Sequence, residues 1–210
     1  TCALPIWLKA IRWRRCGQNK QVKKMLKSKQ EMRKSVKKEA AQLTEAYCKD
    51  ADEMIFRNIR ALPEYQRADT VFCYVGTKTE INTMPILKDI LENGKILGVP
   101  KCVAKGIMEV FRVESLEQLK EGAYGILEPK EECGRILPEQ IDLALVPCLC
   151  CTKDGKRLGY GGGYYDRYLE KKEFTKVVLC REKLMKEFIP IDHHDVEMDL
   201  VISERGVCEK

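Results

Sequence analysis

Apolar positions along the first third of the chain recur at helical spacing. In residues 28–47 they return at every third or fourth position, which predicts an amphipathic helix with one buried face. A second helical block opens at Asp50 and ends before Pro63, because proline cannot continue a helix. The apolar positions of the first helix are Met32, Val36, Ala40 and Leu43. We therefore predict two helices ahead of the remaining elements.

Beyond Pro63 the apolar residues gather in short continuous runs, which are typical of strands buried on both faces. A helical stretch over Met84–Glu92 follows the first run and ends at Asn93-Gly94, a common helix terminus. A shorter helix is predicted over residues 116–120. The predicted strands cover residues 70–75, 95–99, 108–113, 141–146, 177–180 and 200–203. Strands that alternate with helices predict a single α/β domain, with a layered and mostly parallel sheet flanked by helices.

One stretch, RLGYGGGYYDRY at residues 157–168, concentrates four of the fourteen glycines. It follows a predicted strand, and the tyrosines after the glycines recur at helical spacing. A glycine loop between a strand and a helix presents backbone N–H groups to an anion. Arg157 adds a fixed positive charge, and Asp166 adds a hard oxygen ligand suited to Mg²⁺. The stretch predicts a phosphate or nucleotide site; the alternative is a tight turn that only packs a helix on a strand.

The glycine stretch matches neither of two common nucleotide motifs. A Walker A loop needs Gly-Lys-Ser/Thr, which does not follow here, and Tyr164 stands where the dinucleotide fingerprint has its third glycine. Lys29 and Arg33 offer further positive charge, one turn apart near the start of the first helix, where cations oppose the helix dipole. That position suits cations that bind a polyanion, and the alternative is a pair of solvated surface cations.

Several acidic residues lie at or near the ends of predicted strands. Glu80 follows the first strand, and an acidic segment at 192–199 precedes the last one. Ligands of parallel sheets bind beyond the carboxyl ends of strands. We therefore expect Glu80, the glycine stretch and the 192–199 segment to converge. Either Asp195 or Asp199 could complete a metal site with Asp166.

Cysteine is the unusual feature of the composition, with eleven residues scattered over the chain. Their spread argues against a disulfide framework and favours free thiols in a reducing cytosol. The tightest group, Cys148, Cys150 and Cys151, could hold a soft metal ion, although buried structural thiols are the simpler interpretation. No apolar run is long enough to cross a bilayer, so we expect no membrane partner.

The net charge of +6 comes from one end of the chain. Residues 1–38 hold thirteen Lys and Arg against one acid, and the remainder is mildly acidic. A nucleic-acid-binding protein that acts through the basic residues 9–38 is therefore the main alternative to an enzyme, and a solvated helix face is the simpler one. Residues 1–24 lack the order of a signal peptide. We predict them to be an extension ahead of a domain over residues 25–210, with Met25 as a plausible start.

A series of motifs follows the predicted elements in a fixed order. They are Lys29-x-x-x-Arg33, Glu80-Ile81-Asn82-Thr83, Tyr124-Gly125-Ile126-x-Glu128-Pro129, residues 142–147, Asp154-Gly155-x-Arg157 continuing through Arg167, and finally Pro190 and Asp195. This series resembles the 5-formyltetrahydrofolate cyclo-ligase family, also called 5,10-methenyltetrahydrofolate synthetases. The resemblance covers about residues 25–205 and is most specific in the glycine stretch.

The resemblance implies a layered α/β enzyme that uses ATP and Mg²⁺. It would cyclise 5-formyltetrahydrofolate to 5,10-methenyltetrahydrofolate and release ADP and phosphate. The formyl oxygen would attack the γ-phosphate of ATP, and N10 would then close the ring as phosphate leaves. Such chemistry needs positioning and charge neutralisation of a phosphoryl group more than a protein nucleophile.

The resemblance also implies roles for individual positions. Arg157 and Tyr164 would be catalytic, and Asp166 and Asp195 would hold Mg²⁺. ATP would be bound by Lys29, Arg33, Arg157, Leu158, Gly159, Tyr160, Gly161, Gly162, Gly163, Tyr164 and Tyr165. The folate would be bound by Val75, Glu80, Tyr160, Gly161, Gly162, Gly163 and Tyr164. A carboxylate such as that of Glu80 suits the paired N–H donors of a pterin.

The chain departs from the family pattern just ahead of the glycine stretch. Pro147-Cys148 stands where the family usually has Pro-Gly, and Cys151-Thr152 replaces an aromatic residue and an acid. These changes bear on local packing more than on chemistry. The expected partners are the two small-molecule substrates, 5-formyltetrahydrofolate and ATP, without nucleic acid, and the expected state is a cytoplasmic monomer or weak dimer. Another ATP- or sugar-phosphate-using enzyme on the same layout is the second alternative.

Overall fold

The centre of the fold is strand β1, Thr70–Cys73, whose four residues are all buried. The structure, a computed structural model, describes residues 28–122 and 125–208 of the chain. The expectations for residues 1–24 lie outside the described residues. On either side of β1 the sheet continues through parallel neighbours, so the strand has no exposed edge.

Three helices precede β1 in the described part of the chain, and the remaining elements follow it. The helices are α1 over residues 28–41, α2 Glu45–Ala61, α3 Pro63–Arg67, α4 Met84–Glu92 and α5 Tyr164–Leu169. The other strands are β2 Ile96–Ala104, β3 Ile107–Val113, β4 Leu119–Glu121, β5 Leu127–Pro129, β6 Arg135–Ile136, β7 Leu143–Val146, β8 Cys150–Cys151, β9 Arg157–Leu158, β10 Thr175–Leu179, β11 Leu200–Ser203 and β12 Gly206–Val207. Short 3₁₀ turns cover Leu116–Gln118, Pro138–Gln140 and Glu182–Leu184.

Within the described ranges, eight strands form the main sheet in the order β12-β11-β10-β7-β1-β2-β3-β6. The strands from β11 to β2 run parallel. At one side β3 and the edge strand β6 pair antiparallel, and at the other the edge strand β12 does so. Two small hairpins, β4–β5 and β8–β9, lie outside this sheet. The predicted layered, mostly parallel α/β fold is confirmed.

Helices cover the two faces of the sheet and divide its core in two. Successive residues of a strand point to opposite faces, so Val71 and Cys73 contribute to one core and Phe72 to the other. Residues of α2 and α4 fill the first core. Val36 of α1 and Leu169 of α5 fill the second. In the described part of the chain, none of the helices is both long enough and apolar enough to span a membrane.

Several element boundaries differ from those that the sequence predicts. Helix α2 begins at Glu45 rather than Asp50, because the Thr44 side chain accepts a hydrogen bond from the Tyr47 N–H and caps an earlier start. The predicted helix at residues 116–120 is only a 3₁₀ turn, after which the chain enters β4. Strand β2 extends beyond its apolar run because antiparallel pairing with β3 supplies its backbone partners.

The aromatic residues of α5 lie against the central strand. The ring of Phe72 stacks on Tyr165 at a centroid distance of 6.1 Å and meets Tyr168 edge-on at 5.6 Å. Such pairs contribute to stability beyond the area they bury. Because α5 begins at the end of the glycine stretch, Phe72 links that loop to the middle of the sheet.

We expect Phe72→Ala to lower the free energy of unfolding by about 3–5 kcal/mol, since it removes a fully buried ring and leaves a cavity. Phe188→Ala is the matched control, because that ring is 69% exposed and its loss should cost less than about 0.5 kcal/mol. Denaturant unfolding of both variants measures the difference. Equal stability of the two variants would contradict the central place of Phe72.

Candidate active site

A cavity of about 850 Å³ opens beyond the carboxyl ends of β1 and β7. Tyr74 and Val75, which follow β1, and Pro147, which follows β7, form part of its wall. Its lining includes all the residues that the family resemblance implies for ATP, folate and metal: Lys29, Arg33, Val75, Glu80, residues 157–166 and Asp195. The predicted convergence of Glu80, the glycine stretch and the acidic segment near residue 192 is therefore confirmed, while the roles of these residues stay predictions.

The glycine loop, residues 159–163, has a backbone shape that other residues would strain. Gly161 and Gly163 have φ angles of +104° and +66°, in the region that glycine adopts without cost. A Cβ atom at Gly161 would also lie 3.4 Å from the guanidinium carbon of Arg33. At Gly163 it would lie 2.8 Å from a terminal nitrogen of Arg167. The glycines thus allow two arginines to approach the loop closely.

Those two arginines hold the loop by its carbonyl oxygens. The Nε of Arg33 donates to the carbonyl oxygen of Gly159 at 2.8 Å. Arg167 donates through Nη2 to Gly162 and through Nε to the carbonyl oxygen of Gly106 at 2.7 Å. In the described part of the chain, the N–H groups of residues 160–163 donate no hydrogen bond. Free N–H groups on a glycine loop are the donors that an anion would use.

Arg157 lies on strand β9, and its side chain lines the cavity. The residue is 7% exposed. Its Nη2 donates to a carboxylate oxygen of Asp166, on the first turn of α5, and its Nη1 lies 3.4 Å from the carbonyl oxygen of Pro147. The buried Nε–H of Arg157 has no partner among the described residues. An unpaired donor on a buried guanidinium is costly unless an acceptor binds there. Arg157 is therefore suited to bind an anion.

Lys29 links helix α1 to the C-terminal part of the chain through ion pairs. Its Nζ lies 3.0 Å from a carboxylate oxygen of Asp192 and also forms an ion pair with Asp195. The backbone N–H of Asp192 in turn donates to the Asp195 carboxylate at 2.8 Å. Burial alone would raise the pKa of Asp192, but the N–H of His194 and the Lys29 ammonium bind its carboxylate and lower that pKa below its ordinary value.

The loop that carries Glu80 is held by a buried arginine. Arg181, which is 5% exposed, donates to both carboxylate oxygens of Asp52 at 2.8 and 2.9 Å. Its Nη2 also donates to the carbonyl oxygen of Glu80 at 2.8 Å. The Glu80 carboxylate accepts from the N–H of Thr77 at 2.9 Å. These contacts fix the loop backbone and present the carboxylate to the cavity.

Three tyrosines place hydroxyl groups near Glu80. Burial raises the pKa of Tyr74 and of Tyr165 well above the ordinary value, and the Glu80 carboxylate raises both further. Loss of water around the Tyr160 hydroxyl, followed by the charge of Glu80, also raises the pKa of Tyr160, although the residue as a whole is partly exposed. The three hydroxyls therefore stay protonated and can donate hydrogen bonds. The apolar part of the wall includes Val75, Pro100, Cys102, Met108 and Ile126.

Some residues from the sequence analysis lie elsewhere. Asp199, the alternative metal ligand, is outside the cavity lining and accepts hydrogen bonds from the N–H of Lys176 at 2.7 Å and from its ammonium at 3.2 Å. The glycine loop does not follow β7 directly, because hairpin β8–β9 intervenes.

Sequence reasoning missed one contact and one residue of the site. Asp192 was predicted only as the first residue of the converging acidic segment, and its ion pair with Lys29 was not predicted. Arg181 contacts Asp52, which is 129 residues away in the sequence, and no local sequence pattern near either residue predicts the pair. Both contacts depend on the folded chain.

These features define an α/β protein with a large cavity at the carboxyl edge of its parallel strands. A glycine loop with free N–H groups, three basic side chains from α1 and β9, and facing carboxylates make that cavity suited to a nucleotide with a divalent cation. A model of the 5-formyltetrahydrofolate cyclo-ligase family matches residues 25–204. The chain belongs to this family and is an enzyme of the ligase class.

Individual relatives agree with the family assignment. The 5-formyltetrahydrofolate cyclo-ligase of Mus musculus is 30% identical over 167 residues, which are 72% of this chain and 81% of the mouse protein. That of Haemophilus influenzae is 28% identical over 175 residues, or 80% and 94% of the two chains. The solved 5,10-methenyltetrahydrofolate synthetase of Aquifex aeolicus is 33% identical, with a TM-score of 0.76, and the match covers 85% of this chain and 91% of that one.

We expect Asp192→Asn to lower the free energy of unfolding at neutral pH by about 1–2 kcal/mol, since it removes an ion pair with a buried lysine. The pKa of Asp192 is lowered in the folded protein, so its contribution is complete above about pH 4 and disappears as pH falls through the lower value. Urea unfolding across pH 3–7 should show the two stability curves converging in acid.

The exposed Asp50→Asn is the control and should follow the original protein throughout. A loss of stability in Asp192→Asn that stays constant down to acid pH would show that the ionised carboxylate does not matter.

Proposed function

We propose that this enzyme converts 5-formyltetrahydrofolate to 5,10-methenyltetrahydrofolate in an ATP- and Mg²⁺-dependent reaction that releases ADP and phosphate. The observation that carries the proposal is one cavity that combines a cationic glycine loop with an apolar wall and an acidic side chain, Glu80. Family membership supports the reaction and the folate class of substrate. A volume of about 850 Å³ is in the upper range of small-molecule sites and suits a nucleotide together with a folate.

The phosphates of ATP would bind where positive charge and free N–H groups meet. Lys29, Arg33 and Arg157 line this part of the cavity, and the unpaired Nε–H of Arg157 offers a donor that needs an acceptor. Arginine and lysine are the side chains that bind phosphate most often. The N–H groups of residues 160–163 would add donors along the loop.

Asp166 and Asp195 fit a Mg²⁺ ion by the chemistry of their donors. Both carboxylates line the cavity, and each is balanced by one cation, Arg157 or Lys29. Mg²⁺ in nucleotide sites takes one or two carboxylates together with phosphate oxygens and water. The bound ion would neutralise charge on the phosphate oxygens of ATP. Arg157 and Lys29 would then be free to turn from the carboxylates to the phosphates.

The proposed chemistry proceeds in two steps. The formyl oxygen attacks the γ-phosphorus as ADP leaves, which gives a phosphorylated imidate at N5. N10 then attacks the activated carbon and loses its proton, and phosphate departs as the carbon–oxygen bond breaks. Arg157 and Lys29 would neutralise the charge on the phosphoryl group, and Tyr164, whose ring lies beside Gly162, would help to fix the loop around it. Such a reaction requires no protein nucleophile.

The pterin would lie against the apolar wall with its polar edge toward Glu80. The carboxylate of Glu80 can accept a pair of N–H bonds, and the Thr77 N–H already orients it. Val75, buried beside this loop, would form part of the wall. The Tyr160 ring, which is 47% exposed and lines the cavity, would cover the folate once it has bound.

The proposal also includes a cytoplasmic location and a monomer or weak dimer as the active form. The nine described cysteines are all free thiols, which supports the proposed cytoplasmic location. The described residues of one chain supply every side chain assigned above, which supports a monomer or weak dimer as the active form.

The test of the function is absorbance of the methenyl product during incubation with 5-formyltetrahydrofolate and Mg·ATP. We expect a rise that requires both ATP and Mg²⁺. Absence of a rise, in folded protein that still binds ATP, would leave the nucleotide site intact and overturn the folate reaction.

We expect Lys29→Met to raise the KM for ATP at least about tenfold, since it removes a phosphate-binding cation. Lys34→Met is the matched control, because Lys34 is exposed on the same helix and should leave the KM unchanged. Steady-state kinetics over ATP concentration measure both, and thermal unfolding shows that both variants are folded. A KM equal to that of the Lys34 variant would remove Lys29 from the ATP site.

We expect Glu80→Gln to raise the KM for 5-formyltetrahydrofolate about tenfold or more while the KM for ATP stays the same, because the amide presents only one acceptor to the pterin. The exposed Glu92→Gln should change neither constant. A parallel rise in both constants for Glu80→Gln would indicate a disturbed loop rather than a lost folate contact.

A further inference from the structure

Three cysteine sulfur atoms meet beside the active site but outside its lining. The sulfurs of Cys148, Cys151 and Cys180 all lie within 4.8 Å of one another. Cys148 and Cys151 stand at C-x-x-C spacing, which sequence reasoning overlooked, and Cys180 joins them from the end of β10. Cys150, which the sequence analysis grouped with Cys148 and Cys151, is not part of the cluster, because successive strand residues point to opposite faces.

The cluster is enclosed but retains one route to solvent. Cys151 and Cys180 are 0% and 2% exposed, whereas Cys148 is half-buried. The Cys148 thiol donates to the carbonyl oxygen of Leu179 at 3.4 Å, and the Cys180 thiol donates to that of Arg181 at 3.5 Å. The three sulfur atoms are therefore held close together in a mostly buried position.

We propose that Cys148, Cys151 and Cys180 form a three-thiolate site for a soft, thiophilic metal ion, of which Cu⁺ is the best match. Sulfur ligands select soft ions over hard ones such as Mg²⁺. Contraction of the three sulfurs from their present separations onto one ion requires only small side-chain movements. Binding displaces thiol protons and transfers no electron. The site does not depend on the proposed folate reaction.

The coordination number favours Cu⁺ over Zn²⁺. Structural zinc sites almost always have four protein ligands. In the described part of the chain, no fourth His, Cys, Asp or Glu joins the three sulfurs. A soft monovalent ion accepts three sulfur ligands and is also easier to dehydrate than a divalent one, which suits an enclosed site.

The site connects two segments that position the active centre. Cys148 follows Pro147, whose carbonyl oxygen lies 3.4 Å from Arg157, and Cys151 pairs with Arg157 across the β8–β9 hairpin. Cys180 precedes Arg181, which holds the Glu80 loop. An ion bound to the three sulfurs would therefore fix both segments together.

The experiment is an anaerobic titration of the reduced full chain with Cu⁺, supplied as its complex with a coloured chelator that competes for the ion. We expect one equivalent to pass to the protein with higher affinity than any further equivalents. X-ray absorption of the one-equivalent sample should show a copper ion with three sulfur ligands. The same titration with Zn²⁺ should give weaker binding.

Single alanine variants of Cys148, Cys151 and Cys180 should each lower the affinity for the first equivalent at least about tenfold. Alanine is chosen because a buried serine would add an unsatisfied hydroxyl. Cys150→Ala is the matched control, since Cys150 is buried in the same hairpin and should retain the site. Circular dichroism establishes that each variant is folded. If a buried variant fails to fold, Cys148→Ser at the half-buried position provides the same test.

Three results would overturn the proposal. One is that the first equivalent of Cu⁺ binds to Cys180→Ala as tightly as it binds to the original chain. The second is a copper ion with two sulfur ligands only. The third is tighter binding of Zn²⁺ than of Cu⁺ at the same three residues, which would replace the three-coordinate site with a zinc site completed by water.

Discussion

The concentration of positive charge in one cavity is the constraint on which this structure depends. Lys29 and Arg157 are both nearly buried, and a buried cation without a partner costs about 3–5 kcal/mol. Lys29 is paired with two carboxylates, Asp192 and Asp195, and Arg157 is paired with one, Asp166. These pairs also join the first helix, the glycine loop and the C-terminal segment, which are far apart in sequence.

The same ion pairs could change partners when a substrate binds. Phosphate groups are stronger partners for arginine and lysine than a single carboxylate, because they offer more oxygens and more charge. In the proposed reaction the phosphates of ATP would pair with Lys29 and Arg157, and the carboxylates of Asp195 and Asp166 would become available to hold Mg²⁺. Lys29 and Arg157 would thus remain paired with an anionic group before and after the substrate binds.

The fold and much of the site could be predicted from the sequence because their signals are local. Apolar runs identified the central strands, and the glycine stretch with its flanking Arg157 and Asp166 identified the loop. Contacts between distant segments carry no such signal. The Arg181–Asp52 pair and the cluster that Cys180 forms with Cys148 and Cys151 depend on how the strands are ordered in the sheet. Helix α2 was predicted too short because its start depends on the Thr44 cap rather than on apolar spacing.

The central claim is that ATP phosphorylates the formyl oxygen of the folate. It is tested most directly with 5-formyltetrahydrofolate that carries a heavy oxygen isotope in the formyl group. After turnover with unlabelled ATP in ordinary water, mass spectrometry of the released phosphate reports the origin of its oxygen. The account predicts one heavy oxygen in each phosphate formed. Phosphate without label, produced along with the methenyl product, would show that the ring closes by another route and would contradict the proposed chemistry.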